Sequence, residues 1–178
     1  MLKVGYIGLG IMGKSIARNI LKAGFGLVVH NRSQGAVQEL VAEGAKAAAS
    51  PAEVAGQVDV VFTNLPDSPD VEIVALGPGG VIEGAHTGLV FVDNSTIKPA
   101  TARLVASGLA QAGVAGLDAP VRGGEVWLFS RETVARVMRH RCREVACVAG
   151  ERLTHRGRDR PPGRPGPELR GGGGESRD

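Results

Sequence analysis

Near its start the chain contains the segment Val4-Gly5-Tyr6-Ile7-Gly8-Leu9-Gly10-Ile11-Met12-Gly13, in which an apolar run leads into closely spaced glycines. This segment is the strongest indication of the fold. Residues 2–7 predict a buried strand, and residues 11–23 place Ile16, Ile20 and Leu21 on one helical stripe. The glycines between these two elements have the spacing G-x-G-x-x-G. The sequence therefore predicts a strand, a tight turn and a helix in direct succession.

Each glycine has its own role if this unit binds a dinucleotide. Gly8 permits the tight turn, Gly10 lets the backbone approach a pyrophosphate, and Gly13 allows close packing of the helix on the strand. The helix N-terminus adds free N–H groups and the positive end of the helix dipole. The alternative is an ordinary glycine-rich loop. We predict that the turn binds a cofactor through Gly8, Leu9, Gly10, Ile11, Met12 and Gly13.

Strands and helices alternate through the first part of the chain. Further strands are predicted at residues 27–30, 58–63 and 89–92 and from residue 116 onward. Helices are predicted at residues 34–43, from Pro51 onward, and at 69–76 and 99–112. This alternation is typical of an α/β fold with a doubly wound, Rossmann-type parallel sheet. Residues 1–124 are therefore predicted to form a dinucleotide-binding domain, with its ligand crevice at the carboxyl ends of the strands.

The remainder of the chain has a different composition. Residues 125–178 contain twelve arginines and eight acidic residues but no lysine, which gives a net charge of +4 against −1 for residues 1–124. Residues 125–150 predict a candidate amphipathic helix. Residues 151–178 are mostly Arg, Gly, Pro and acidic residues, and such a composition predicts a disordered tail. The sequence therefore predicts an incomplete Rossmann fold followed by a helical and disordered C-terminal part.

Composition argues against several classes of protein. No run of about 18 apolar residues occurs, so no membrane span is expected. The first strand starts at once without a secretory leader, which favours a cytoplasmic protein. The cysteines Cys142 and Cys147 are not at zinc-site spacing, so no metal is predicted.

The residues after the second strand bear on the choice of cofactor. An NAD site of this type has an acidic residue about twenty positions beyond the glycines, whereas this chain has Asn31, Arg32 and Ser33 there. A guanidinium binds phosphate through charge-assisted hydrogen bonds, and Asn and Ser can add donors. We predict that Asn31, Arg32 and Ser33 bind the 2′-phosphate of NADP, with NAD as the second choice. The alternative is a solvated loop arginine.

Four motifs follow one another over residues 1–124: Ile7-Gly8-Leu9-Gly10-Ile11-Met12-Gly13 followed by Asn19, then Asn64-Leu65-Pro66-Asp67-Ser68-Pro69-Asp70-Val71, then Val92-Asp93-Asn94-Ser95-Thr96, and then Asp118-Ala119-Pro120-Val121-Arg122-Gly123-Gly124. In these motifs and in their order, the chain resembles the β-hydroxyacid dehydrogenase family. Segments 74–77 and 80–85 look most like the members that reduce 2-hydroxy-3-oxopropionate to glycerate, also called tartronate semialdehyde reductases. The 3-hydroxyisobutyrate dehydrogenases are the alternative. The resemblance implies an NADP-dependent oxidoreductase that acts on a small hydroxy or oxo acid.

The resemblance also implies roles for individual residues. Leu65 and Pro66 would line the cofactor cleft, and Thr96 would lie near the nicotinamide. Residues 118–124 would bind the substrate carboxylate, chiefly through Arg122, Gly123 and Gly124. Arg122 departs from the family pattern, which has a serine at that position. The larger side chain therefore puts the substrate contact in doubt.

No catalytic residue can be assigned from the sequence. The family's catalytic lysine lies on a helix some fifty residues beyond the substrate loop, and this chain has no lysine after Lys98. The lead interpretation is a truncated or frameshifted family member with little activity. A second reading frame that encodes a lysine-bearing helix after Gly124 would demonstrate the frameshift. The alternatives are a non-catalytic NADP-binding module and a nucleic-acid-binding protein with a basic tail. Nucleic acid is the less favoured partner, because the tail has few aromatic residues and many acidic ones. The sequence does not indicate an oligomeric state.

Overall fold

The computed structural model describes residues 2–120 of the chain. The predicted helix at 125–150 and the predicted disordered tail at 151–178 lie outside the described residues. The elements follow in the order β1 Lys3–Ile7, α1 Ile11–Lys22, β2 Gly26–His30, α2 Gln34–Ala42, β3 Lys46–Ala47, α3 Pro51–Ala55, β4 Val60–Thr63, α4 Ser68–Leu76, a 3-10 helix Val81–Gly84, β5 Val90–Asp93, α5 Pro99–Gln111 and β6 Ala115–Asp118.

The six strands form one parallel sheet in the order β3-β2-β1-β4-β5-β6. The chain builds β1, β2 and β3 outward in one direction and then returns to the other side of β1 for β4, β5 and β6. This confirms the predicted doubly wound sheet. The reversal of strand order lies between β1 and β4, where such sheets bind their ligands.

Helices cover both faces of the sheet. On one face, Ile16 and Ile20 of α1 and Leu40 of α2 pack against Tyr6 and Phe62, whose rings stack with centroids 6.2 Å apart. On the other face, α3, α4 and α5 bury an apolar layer that includes Val54, Val71, Leu109, Ile7 and Phe91. The strands are therefore apolar on both sides, as parallel strands between two helical layers must be.

Local signals explain most of the boundaries. The hydroxyl of Ser50 caps α3 by accepting a hydrogen bond from the N–H of Glu53 at 3.1 Å, and Pro51 occupies the first turn, as the capping pattern predicts. The sequence missed β3, which has two exposed residues, and the short 3-10 helix. The apolar pattern of residues 34–43 predicts that Val37, Leu40 and Val41 face inward, but Val41 is 42% exposed. Within residues 2–120, none of the helices has the length and apolar character needed to cross a membrane.

Candidate dinucleotide-binding site

The glycine turn between β1 and α1 has no room for side chains at two of its three glycines. Gly8 has a φ of 94°, and a Cβ there would collide with the carbonyl oxygen of Asn64. A Cβ on Gly13 would collide with the carbonyl oxygen of Gly8 and lie 3.1 Å from the Tyr6 ring. Gly10 differs from both, because no atom lies within 4 Å of its Cβ position. The backbone of Gly10 is therefore open to a close approach by a ligand.

The first turn of α1 offers its backbone donors to the same space. Gly10 is the residue before the helix and has no side chain with which to cap it, and the first turn contains no acidic residue. The leading N–H groups of a helix have no partner within the helix, and the helix dipole places partial positive charge there. This end of α1 suits a phosphate group.

Asn31 connects the end of β2 to the glycine turn. Its Oδ1 accepts a hydrogen bond from the N–H of Leu9 at 3.0 Å. Its Nδ2 donates to the carbonyl oxygen of Ser33 at 3.0 Å and to the Ser33 hydroxyl at 2.8 Å. The Asn31 amide, which the sequence suggested as a phosphate donor, is thus engaged inside the protein and holds two segments of the site together.

Arg32 is an exposed cation just beyond the carboxyl end of β2. Its side chain is 84% exposed, and its Nη1 lies 3.6 Å from Oδ1 of Asp70 in the first turn of α4. Ion pairs between exposed side chains contribute about 0 to 1 kcal/mol. The guanidinium is therefore weakly held and can turn toward a ligand.

These elements surround a cleft of about 490 Å³ at the carboxyl ends of β1, β2 and β4. Of the residues predicted to bind the cofactor, those lining the cleft are Gly8, Leu9, Gly10, Ile11, Met12, Gly13, Asn31, Arg32, Ser33, Leu65 and Pro66. Thr96 does not line it and lies exposed beyond β5, while Arg122, Gly123 and Gly124 lie outside the described residues. The structure adds six residues to the lining: Ile7, His30, Asn64, Asp70, Ile73 and Val74.

Sequence reasoning missed these additional residues for different reasons. Ile73 and Val74 belong to the apolar second half of α4, residues 73–76, whose sequence gives no sign of which face meets the cleft. Asp70 belongs to the motif at residues 64–71, and nothing in that motif indicates that its side chain meets the cleft. A lone histidine at the end of a strand predicts a packing residue rather than a ligand, and Nδ1 of His30 lies 3.0 Å from the carbonyl oxygen of Ala48.

A buried carboxylate organises the neighbouring loop ends. Oδ1 of Asp93 accepts hydrogen bonds from the Thr63 hydroxyl at 2.8 Å, the Ser95 hydroxyl at 2.6 Å and the Ser95 N–H at 3.0 Å. The Ser95 oxygen in turn accepts from the N–H of Leu65 at 2.8 Å. The motif Asp93-Asn94-Ser95-Thr96 thus fixes the backbone at Leu65, which lines the cleft.

Two carboxylates stand side by side at the end of the sheet. Asp93 and Asp118 are register partners in β5 and β6. Partial burial, followed by the negative charge of Asp93, raises the pKa of the Asp118 carboxyl above its usual range. Residues 2–120 contain no cluster of three or more His, Cys, Asp and Glu side chains of the kind that holds a metal ion. The chemistry that the described part of this site supports is the binding of a phosphorylated ligand.

Comparison with known proteins identifies the domain. Residues 3–130 match the family model for the NAD binding domain of 6-phosphogluconate dehydrogenase. The chain is 41% identical over 123 residues to 2-(hydroxymethyl)glutarate dehydrogenase from Eubacterium barkeri, and the match covers 69% of this chain and 41% of that protein. The chain thus spans less than half the length of this relative.

Solved structures agree with the sequence match. The fold is similar to the crystal structure of 3-hydroxyisobutyrate dehydrogenase from Salmonella typhimurium, with a TM-score of 0.66, 37% identity, and coverage of 71% of this chain and 44% of that one. It is also similar to Psf3 solved in complex with NADP⁺ and 2-OPP, with a TM-score of 0.64, 34% identity, and coverage of 68% and 43%. The chain therefore belongs to the family of 6-phosphogluconate dehydrogenase NAD-binding domains, and its relatives are hydroxyacid dehydrogenases.

Proposed function

We propose that the cleft binds NADP in preference to NAD, and that the chain carries the cofactor-binding part of an oxidoreductase for small hydroxy or oxo acids. One observation carries the cofactor choice: the exposed Arg32 guanidinium stands at the end of β2, and residues 31–33 contain no carboxylate. An acidic residue there would favour the ribose hydroxyls of NAD, whereas arginine favours a 2′-phosphate. The complex of Psf3 with NADP⁺ supports this choice.

We propose 2-hydroxy-3-oxopropionate as the oxo acid, on the likeness of segments 74–77 and 80–85. Most of these residues pack away from the cleft, since the 3-10 helix lies against α3, where Gly84 touches the carbonyl of Ala52. The two segments therefore support a likeness to one group of relatives, but most of their residues lie outside the cleft. The second candidate is 3-hydroxyisobutyrate, which the similarity to 3-hydroxyisobutyrate dehydrogenase from Salmonella typhimurium supports.

The proposed reaction places different tasks on the cofactor and on the protein. Bound NADPH would supply the hydride for the carbonyl carbon of the oxo acid. The glycine turn and the N-terminus of α1 would hold the pyrophosphate, and Leu65, fixed by Ser95, would form a wall of the cleft. The resemblance implies that a lysine protonates the carbonyl oxygen, and this chain has no lysine after Lys98.

Replacing Arg32 with alanine tests the cofactor choice. Loss of a charge-assisted contact to phosphate is worth about 1.5 to 3 kcal/mol, so we expect NADPH affinity to fall about 10- to 100-fold while NADH affinity changes little. Nicotinamide fluorescence during titration measures both affinities. Arg103→Ala is the matched control, because Arg103 is an exposed arginine on α5 and does not line the cleft. Equal losses for NADPH and NADH in Arg32→Ala would contradict the 2′-phosphate assignment, and an absence of binding to the parent chain would contradict the whole proposal.

We also expect the 178-residue chain to turn over slowly. Removal of a general acid lowers a rate by about 10² to 10⁴. The consumption of NADPH in the presence of 2-hydroxy-3-oxopropionate should therefore remain close to the rate without protein, even where titration shows that NADPH is bound. The same assay with 3-hydroxyisobutyrate and NADP⁺ tests the second substrate. Rapid turnover of either would contradict the expectation that this chain lacks its acid.

A further inference from the structure

Arg32 has a charged neighbour on the opposite side of the cleft. Asp70 belongs to α4, whereas Arg32 follows β2, and both side chains line the same cleft. Their charged atoms are 3.6 Å apart, and the Asp70 side chain is 32% exposed against 84% for Arg32. The carboxylate is therefore the less mobile partner of the pair, and it is next to the place proposed for the 2′-phosphate.

The position of Asp70 in its helix keeps its charge in place. Asp67 is the residue before α4, and its side chain accepts a hydrogen bond from the N–H of Ser68 at 2.7 Å. Asp70 lies in the first turn of the same helix, where the helix dipole favours a negative charge. Among the described residues, Arg32 is the only cation within ion-pair distance of Asp70.

We propose that Asp70 is a specificity-determining residue of this cleft, and that it opposes the selectivity for a 2′-phosphate that Arg32 provides. A 2′-phosphate must draw the guanidinium away from Asp70, and it meets a like charge as it does so. A 2′-hydroxyl meets neither obstacle and can donate a hydrogen bond to a carboxylate. The inference rests on the proposed cofactor site, and it explains how NAD could bind although β2 lacks the usual acidic residue.

Asp70→Asn removes the charge and keeps the shape of the side chain. The two ligands are adenosine 2′,5′-bisphosphate and adenosine 5′-monophosphate, which differ only in the 2′-phosphate and need no nicotinamide pocket. Selectivity is defined as the ratio of their dissociation constants, measured by calorimetry on the full chain. We expect selectivity for the bisphosphate to increase about fivefold in Asp70→Asn, which corresponds to about 1 kcal/mol. The increase should shrink at high salt, because exposed charges are screened.

Two further variants make the result specific. Glu72→Gln removes the same charge from an exposed position of α4 that does not line the cleft, and it should leave selectivity unchanged. Arg32→Ala should abolish the preference for the bisphosphate, and adding Asp70→Asn to it should raise selectivity by less than in the parent chain, because only the like-charge repulsion is then removed. Unchanged or reduced selectivity in Asp70→Asn overturns the inference, as does an equal increase in Glu72→Gln. The comparison of the two adenosine phosphates does not use NADPH. A failure of NADPH to bind and an unchanged selectivity in Asp70→Asn can therefore be told apart.

Discussion

Gly10→Ala is expected to lose NADPH binding and to keep its fold. Its new methyl group meets no protein atom within 4 Å, so the free energy of unfolding should stay within about 1 kcal/mol of the parent chain. The same methyl group would stand where the pyrophosphate approaches the backbone, and the loss of one charged contact weakens binding about 10- to 100-fold. Urea unfolding and NADPH titration of one preparation measure the two quantities. Unchanged affinity would show that the pyrophosphate does not approach this residue.

Gly13→Ala is the opposite case within the same turn. Its methyl group would collide with the backbone at Gly8, which cannot move without shifting β1, so we expect a loss of about 3 kcal/mol in unfolding free energy together with the loss of binding. Gly26→Ala is the control. Gly26 begins β2 at the end of the sheet away from the cleft, and the nearest contact of its Cβ position is Cγ of Lys3 at 3.8 Å. This variant should bind NADPH like the parent chain and be at least as stable.

Asp93→Ala is expected to be the most damaging substitution of a polar residue in the described part of the chain. It leaves the buried Thr63 hydroxyl and the Ser95 N–H without their acceptor, and each unsatisfied buried group costs about 1 to 3 kcal/mol. We expect a total loss of about 3 to 5 kcal/mol in urea unfolding, and weaker NADPH binding because Leu65 loses its support. Asp93→Asn keeps an acceptor oxygen and should lose much less. A loss below about 1 kcal/mol in Asp93→Ala would mean that the network does not hold the loop ends.

Asp118→Asn provides the control, because it changes the adjacent carboxylate in β6 and leaves the network intact. The raised pKa of Asp118 means that the folded state binds this proton more tightly than the unfolded state. The parent chain therefore loses stability as pH rises from the ordinary aspartate pKa through the raised pKa of the folded state. The asparagine variant should be slightly more stable than the parent at neutral pH. This advantage should vanish below about pH 4, where the aspartate is protonated in both states.

The fold was predictable where short-range patterns decide the structure. The apolar strand before Gly8, the serine cap at Ser50 and the prolines at the starts of α3, α4 and α5 all mark elements that the structure contains. β3 could not be predicted, because Lys46 and Ala47 are exposed and only their pairing with β2 makes them a strand. Val41 was misplaced because the inward face of α2 is set by its packing on the sheet.

The site was predictable in its backbone and less so in its side chains. The glycine spacing alone indicated which residue is open and which are enclosed, since that depends on a local turn. The pairing of Asn31 with Leu9 and Ser33, and of Arg32 with Asp70, depends on segments that the sheet brings together from different parts of the chain. The role of Asp93 could not be predicted for the same reason. Its partners Thr63 and Ser95 are placed by the register of β4 and β5.

Under the cofactor assignment that we propose, the neighbours Asn31 and Arg32 divide scaffold and selectivity between adjacent positions. Asn31 is tied to the glycine turn and to Ser33, so a change there would disturb the frame on which every cofactor depends. Arg32 projects into solvent and has one loose ion pair, so it can be exchanged without disturbing that frame. If Arg32 binds the 2′-phosphate as proposed, single substitutions at position 32 should change cofactor preference and leave stability nearly unchanged. Evolution can use this freedom as readily as a protein engineer, and an acidic residue at position 32 is the natural starting point for a redesign toward NAD.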